Sequence, residues 1–206
     1  MSDLKEAWMA LESHWRITPK DARITGDASY GFMRWTLAPF FRMILRVKIR
    51  GIGNVPKSGP TILAANHLSH VDPLVVILAS RRRTHYLAKD GHFRNVALRT
   101  FMRATGQIET NRETGGADAL SSAAVVLHAN RALGIFPEGT RSKRTEPPFL
   151  LPGKTGIARL AASYPDVPVV PIGLTGTREF MTPNKHKLPR LWRNCLLYTS
   201  DAADDF

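Results

Sequence analysis

The chain predicts a layered α/β fold with a mostly parallel sheet flanked by helices. Three observations carry that prediction. From about residue 46 onward, short apolar runs alternate with stretches of helical periodicity, the pattern of consecutive strand–helix units. The composition is globular, with 43% apolar and 22% charged residues. A length of 206 residues suits one domain with a sizeable core.

Two amphipathic segments precede the alternating region. In the first, Leu4, Trp8, Leu11 and Trp15 recur at spacings of four, three and four, which predicts a short helix. Thr18-Pro19 and Gly26-Asp27 then mark loops. The second segment covers 30–49. On a helical wheel Tyr30, Met33, Leu37, Phe40, Ile44 and Val47 share one face, with Arg42 and Arg46 opposite. Pro39 should kink or divide this helix. An aromatic face backed by basic residues suits a helix lying in a membrane interface, and it equally suits a helix packed on a core with a solvated basic side. Strands are expected at 46–50, 61–65, 85–89, 107–110, 133–136 and 167–173, and helices at 73–82, 93–104, 117–131 and 154–163. The chain therefore divides into N-terminal interfacial helices (1–45), an α/β domain (46–194) and a terminal segment (195–206).

That terminal segment differs in character. Its twelve residues hold three Asp and no Lys or Arg, whereas the body is strongly basic. It resembles translated adapter sequence, so a foreign tail following a cut near Asn194 is expected, against the simpler reading of an ordinary acidic tail. The net charge of +12 calls for an anionic partner: nucleic acid, an anionic membrane surface or a phosphate-bearing substrate. The single cysteine, Cys195, excludes a disulfide framework and a multi-cysteine zinc site within this sequence. No run reaches the ~18–20 apolar residues of a membrane span, and the first residues lack the order of a signal peptide. The expectation is a peripheral protein on the cytoplasmic face of the membrane.

Two motifs carry chemistry. Asn66-His67-Leu68-Ser69-His70-Val71-Asp72 follows the strand TILAA and precedes a helix. Five residues apart, His67 and Asp72 would point ~140° away from each other in a regular helix. They meet only if His67 sits in the loop and Asp72 opens the helix, as N-cap, with Pro73 the first helical residue. The carboxylate can then fix the imidazole tautomer and stabilise the imidazolium, leaving His67 to act as a general base. The plainer alternative is an Asp72 that only caps its helix. Zinc is a weak alternative, because the histidines here lack a clear fourth ligand. The second motif, Phe136-Pro137-Glu138-Gly139-Thr140-Arg141-Ser142, follows the apolar strand LGIF. A glycine-containing loop can approach a ligand closely, and Arg141 offers the fork that suits phosphate. Its plainer alternative is a turn in which Glu138 and Arg141 pair. Gly153-Lys154-Thr155 is not a phosphate-binding P-loop, since Pro148 stands where that motif needs glycine.

Together the two motifs closely resemble those of the glycerolipid acyltransferase family, well known in bacteria. Lys89 closing YLAK, the run Gly106–Arg112, Gly153-Lys154-Thr155-Gly156 and the Val167–Gly173 block extend the resemblance over roughly residues 30–180. The loop KRTEPPFLLPGKTG departs from the family's commoner charged version. The resemblance implies acyl transfer from acyl-CoA or acyl carrier protein to the sn-2 hydroxyl of a lysophospholipid, lysophosphatidic acid. His67 would be the base and Asp72 its orienting partner. Arg141, Arg112 and Lys89 would hold the phosphate, with Glu138 and Gly139 on the glycerol backbone. Asn66, Ser69 and Thr140 would complete the substrate site. It implies no metal and no cofactor beyond the acyl co-substrate. Alternatives are another acceptor (a glycolipid, an ornithine lipid or glycerol 3-phosphate), a silent lipid-binding scaffold, or a nucleic-acid-binding protein supported by Arg81-Arg82-Arg83. No nucleic-acid motif accompanies those arginines, so nucleic acid is not an expected partner.

Overall fold

The computed structural model describes residues 16–21, 24, 27–89, 96–104, 106–110, 116–181 and 196–199. The helix expected around Leu4–Trp15 and the residue Cys195 lie outside them. The alternating pattern becomes strands β1 (Lys48–Ile49), β2 (Thr61–Ala65), β3 (Thr84–Lys89), β4 (Ile108–Thr110), β5 (Ala132–Ile135), β6 (Val169–Thr175) and β7 (Leu196–Thr199). The helices are α1 (Asp27–Leu45), α2 (Asp72–Ser80), α3 (Val96–Ala104), α4 (Gly116–His128), α5 (Gly156–Ser163) and the single turn α6 (Thr177–Phe180).

The strand order is β1-β7-β6-β2-β5-β3-β4. Neighbouring strands are parallel except β6 and β7, so the mostly parallel sheet expected from the sequence is present. Successive side chains of a strand face opposite sides, and β2 feeds both cores. Leu63 and Ala65 join Val170, Ile172 and Leu174 under α2, which contributes Val75, Val76, Leu78 and Ala79. Ile62 and Leu133 pack under Ala123, Ala124, Val126 and Leu127 of α4 and Leu160 of α5. The molecule is thus three layers, helix–sheet–helix. The adjacent parallel strands β2 and β5 send their chains to opposite faces, β2 into α2 and β5 towards α5. Such a divergence opens a crevice at the carboxyl ends of the two strands.

Two expectations need correction. Helix α1 runs unbroken through Pro39 rather than dividing there, and its faces differ from the predicted wheel. Tyr30 is buried, and Ala38, Phe41 and Ile44 pack against the core under α2. Phe32 (68% exposed), Trp35 (79%), Phe40 (54%) and Met43 (70%) face outward. Apolar residues surround this helix, so periodicity alone did not identify the inward stripe; small Ala38 permits the close approach. Arg42, expected on a solvated basic side, turns inward and donates to the Leu78 carbonyl. That carbonyl belongs to the last turn of α2, where acceptors lack helical partners and a cation is favoured.

The basic run 81–83 has a structural task. Arg81 takes a left-handed conformation (φ 55°) that ends α2. Arg82 donates to the carbonyls of Pro56 (2.6 Å), Ser58 (3.3 Å) and Gly59 and to the Thr61 hydroxyl (3.1 Å), tying down the loop before β2. Leu196–Thr199, inside the segment read as foreign, form β7 with Leu197 buried. A run of Leu, Leu, Tyr and Thr suits pairing with an open strand edge.

Candidate active site

Both motifs lie at the carboxyl ends of the adjacent parallel strands β2 and β5. After β2 the chain leaves the sheet as a loop, and α2 starts at Asp72. Val71 takes the cap position with no side-chain capping bond, and a proline sits in the first turn. Contrary to the expectation from the sequence, Asp72 therefore does not cap its own helix. Its carboxylate turns back over the preceding loop. Oδ2 accepts from the backbone N–H groups of Leu68 and Ser69, both at 2.6 Å, and lies 2.9 Å from His67 Nδ1. Asp72 is completely buried. Because a carboxylate only accepts, Nδ1 carries the proton, and Nε2 is left as the basic nitrogen.

The second motif closes on the first. Glu138, buried, accepts from the His67 backbone N–H at 3.3 Å, and the Ser142 N–H donates to the His67 carbonyl at 3.0 Å. Glu138 thus holds the histidine loop, and it forms no ion pair with Arg141 among the described residues. The turn between them needs Gly139, whose φ is +68°. Its N–H donates to the Phe136 carbonyl at 2.9 Å. Arg141 is half-buried. Burial lowers its pKa from the ordinary guanidinium value, and the nearby Asp72 carboxylate opposes that shift. The guanidinium stays charged at any physiological pH. Its Nη1, like Glu138 Oε2, is buried with no hydrogen-bond partner among the described residues. A buried cationic donor of this kind is suited to an anion.

The other predicted residues are distributed unevenly. The Asn66 carboxamide bridges to β6, donating to the Leu174 carbonyl (3.0 Å) and accepting from its N–H (2.6 Å). The Ser69 hydroxyl, fully buried, donates to the Met181 carbonyl (3.0 Å). Both therefore hold the loop in place through backbone bonds. Thr140 is exposed beside Gly139. Lys89 ends β3 opposite Thr110, and Arg112 lies outside the described residues. Among the described residues no three His, Cys, Asp or Glu side chains form a metal-holding group.

Three neighbours were missed by sequence reasoning. Lys154 donates its backbone N–H to the Pro137 carbonyl (2.8 Å). Its ammonium lies 3.2 Å from where a Cβ on Gly139 would stand, beside the second motif. A cation between two glycines was the available signal, but nothing in the sequence folded that loop back. Phe136 stacks on the His67 ring, centroids 3.9 Å apart and planes 11° apart. Tyr86 stacks on Phe136 in turn, at 5.2 Å and 20°.

A histidine held by a buried carboxylate, with an arginine across a glycine turn, is an arrangement suited to taking up a proton beside an anionic group. Residues 46–175 match the family model described as acyltransferase, and the chain belongs to that family. It is 28% identical over 142 residues to the 1-acyl-sn-glycerol-3-phosphate acyltransferase of Borreliella burgdorferi, covering 68% of this chain and 55% of that protein. The Bacillus subtilis protein of the same name is 27% identical over 69% of this chain and 70% of its own length. The human alpha form is 30% identical over 66% of this chain and 48% of its own. The chain thus spans about half the length of the Borreliella and human relatives. The crystal structure of PlsC, the 1-acyl-sn-glycerophosphate acyltransferase of Thermotoga maritima, superimposes with a TM-score of 0.58 at 19% identity, covering 84% of this chain and 81% of that one. That likeness establishes the shared fold.

Proposed function

We propose that this protein transfers a fatty acyl group from acyl-CoA or acyl carrier protein to the sn-2 hydroxyl of lysophosphatidic acid, giving phosphatidic acid. The observation that carries the reading is the His67–Asp72 pair at 2.9 Å, at the same end of the sheet as the Arg141 guanidinium, whose Nη1 is buried without a hydrogen-bond partner among the described residues. Relatives named for this reaction support the choice of acceptor. His67 Nε2 takes the proton of the acceptor hydroxyl as its oxygen attacks the thioester carbonyl. Asp72 stabilises the imidazolium, which returns the proton to the departing thiolate. Arg141, with Lys154 and Lys89 as further cations, holds the phosphate so that the hydroxyl meets Nε2. General-base assistance of this kind is worth about 10²–10⁴-fold in rate. No cofactor is required beyond the acyl donor.

The protein acts from the cytoplasmic membrane surface. No helix among the described residues is long and apolar enough to cross a bilayer. The outward row Phe32, Trp35, Phe40 and Met43 suits insertion into the headgroup boundary, with Arg46 and Lys48 exposed beyond its end for anionic lipid. The test is an incubation with oleoyl-CoA and lysophosphatidic acid in anionic vesicles, following thiol release and phosphatidic acid. Wild type makes product, and His67→Ala loses at least about 100-fold. A folded wild type that makes none with either donor class overturns the assignment.

A further inference from the structure

The hydrogen bond to Asp72 pins the imidazole of His67 at one atom, Nδ1. A single bond leaves the ring free to tilt about it, because the torsion that turns a histidine ring is broad. Something must fix the plane if Nε2 is to meet a hydroxyl repeatedly. Phe136 lies flat against the imidazole at 3.9 Å and 11°. Phe136 stands on the loop just beyond β5 and needs backing of its own. Tyr86 supplies it from β3, parallel to within 20° at 5.2 Å. Tyr86 is buried and lies over its cross-strand partner Gly134; a Cβ there would stand 2.2 Å from Tyr86 Cζ. The glycine in the middle of β5 is thus what admits the tyrosine. Resting on the acyl-transfer reading above, we propose that Tyr86 is a positioning residue: through Phe136 it completes a column of three stacked rings that fixes the plane of the His67 imidazole and the aim of Nε2.

The ring of Tyr86, not its hydroxyl, carries the effect. That hydroxyl is buried without a hydrogen-bond partner among the described residues. Burial first, then Tyr30 and Asp72, push the phenol well above its ordinary pKa, so it remains neutral. Misaiming a catalytic group by about 1 Å can cost on the order of 100-fold in rate.

The experiment compares Tyr86→Leu, Tyr86→Phe and Phe136→Leu with the parent, in the full chain. The readouts are kcat, KM for lysophosphatidic acid, and the His67 ring-proton resonance in histidine-labelled protein, assigned by its loss in His67→Ala. Tyr86→Leu and Phe136→Leu should lower kcat by roughly 10–100-fold with KM within about threefold. Tyr86→Phe should restore kcat to near the parent value. The upfield ring-current shift of His67 should vanish in Phe136→Leu and shrink in Tyr86→Leu. A Tyr86→Leu protein with parental kcat and an unmoved His67 resonance overturns the proposal. So does a Tyr86→Phe protein as impaired as Tyr86→Leu, which would assign the effect to the hydroxyl. If the parent itself shows no turnover, the acyl-transfer reading fails separately, and the His67 resonance alone decides whether Tyr86 sets the ring.

Discussion

At the scale of single residues, Asp72 and His67 do unequal amounts of structural work. One oxygen of Asp72 gathers two backbone N–H groups and the imidazole, in complete burial. An alanine there leaves all three of these donors without their acceptor. Asp72→Ala should therefore lower kcat by about 10²–10⁴-fold and lower stability by ~1–3 kcal/mol. His67→Ala should lose comparable activity yet destabilise less, by about 1–2 kcal/mol, since it forfeits one stacked ring and one of the three hydrogen bonds to Asp72 Oδ2 while both backbone donors remain. Activity assays paired with thermal melts separate the two. That His67 and Asp72 can meet was legible, because a strand, a short loop and a proline-marked helix start permit it, although an Asp72 that only caps its helix was the plainer alternative. What else Asp72 binds was not legible. The donors are backbone groups of Leu68 and Ser69, and their direction depends on how the loop turns. For the same reason Asn66 and Ser69 read as site residues, although their side chains bridge to Leu174 and Met181.

At the scale of elements, six of the seven strands were read from the sequence, because short apolar runs bounded by loops have few other uses; β7 was missed because it lies in the segment read as foreign. Thr61–Ala65 matches its expected bounds, and β5 and β6 are shifted by one or two residues. The helix most misjudged is α1, where aromatic residues occur all round the wheel and α2 decides which side is inside. The turn between β5 and Arg141 carries a further prediction. Gly139 has φ +68°, and Lys154 crosses the space a side chain would take. Gly139→Ala should cost about 1–2 kcal/mol from the left-handed backbone alone. A thermal melt checks this, and a change below ~0.5 kcal/mol would mean that the turn re-forms in another geometry.

At the scale of the whole molecule, the divergence of β2 and β5 to opposite faces of the sheet locates the crevice, and residues distant in sequence converge there. A one-dimensional pattern predicts layers well but not strand order, so the adjacency of β2 and β5 became known only from the fold. The outward row on α1 gives a prediction at this scale. Trp35→Ser, Phe40→Ser and Met43→Ser are exposed changes that leave the core intact. Each should weaken binding to anionic vesicles by roughly tenfold, in line with ~1.5 kcal/mol per apolar side chain removed from the interface. Sedimentation with vesicles measures it, and unchanged partitioning of the triple variant would detach α1 from the membrane. Added salt should weaken the parent's binding as well, because the +12 charge contributes through screened attraction.

The asymmetry between His67 and Asp72 has an evolutionary consequence. Glu138 and Ser142 hold His67 only by its backbone, which any residue can provide, whereas the loop clings to Asp72 by its side chain. A descendant released from catalysis can discard the histidine and keep its shape. It cannot shed the aspartate so cheaply. Silent cousins of this protein should betray themselves by a lone aspartate, retained for architecture after the chemistry has gone.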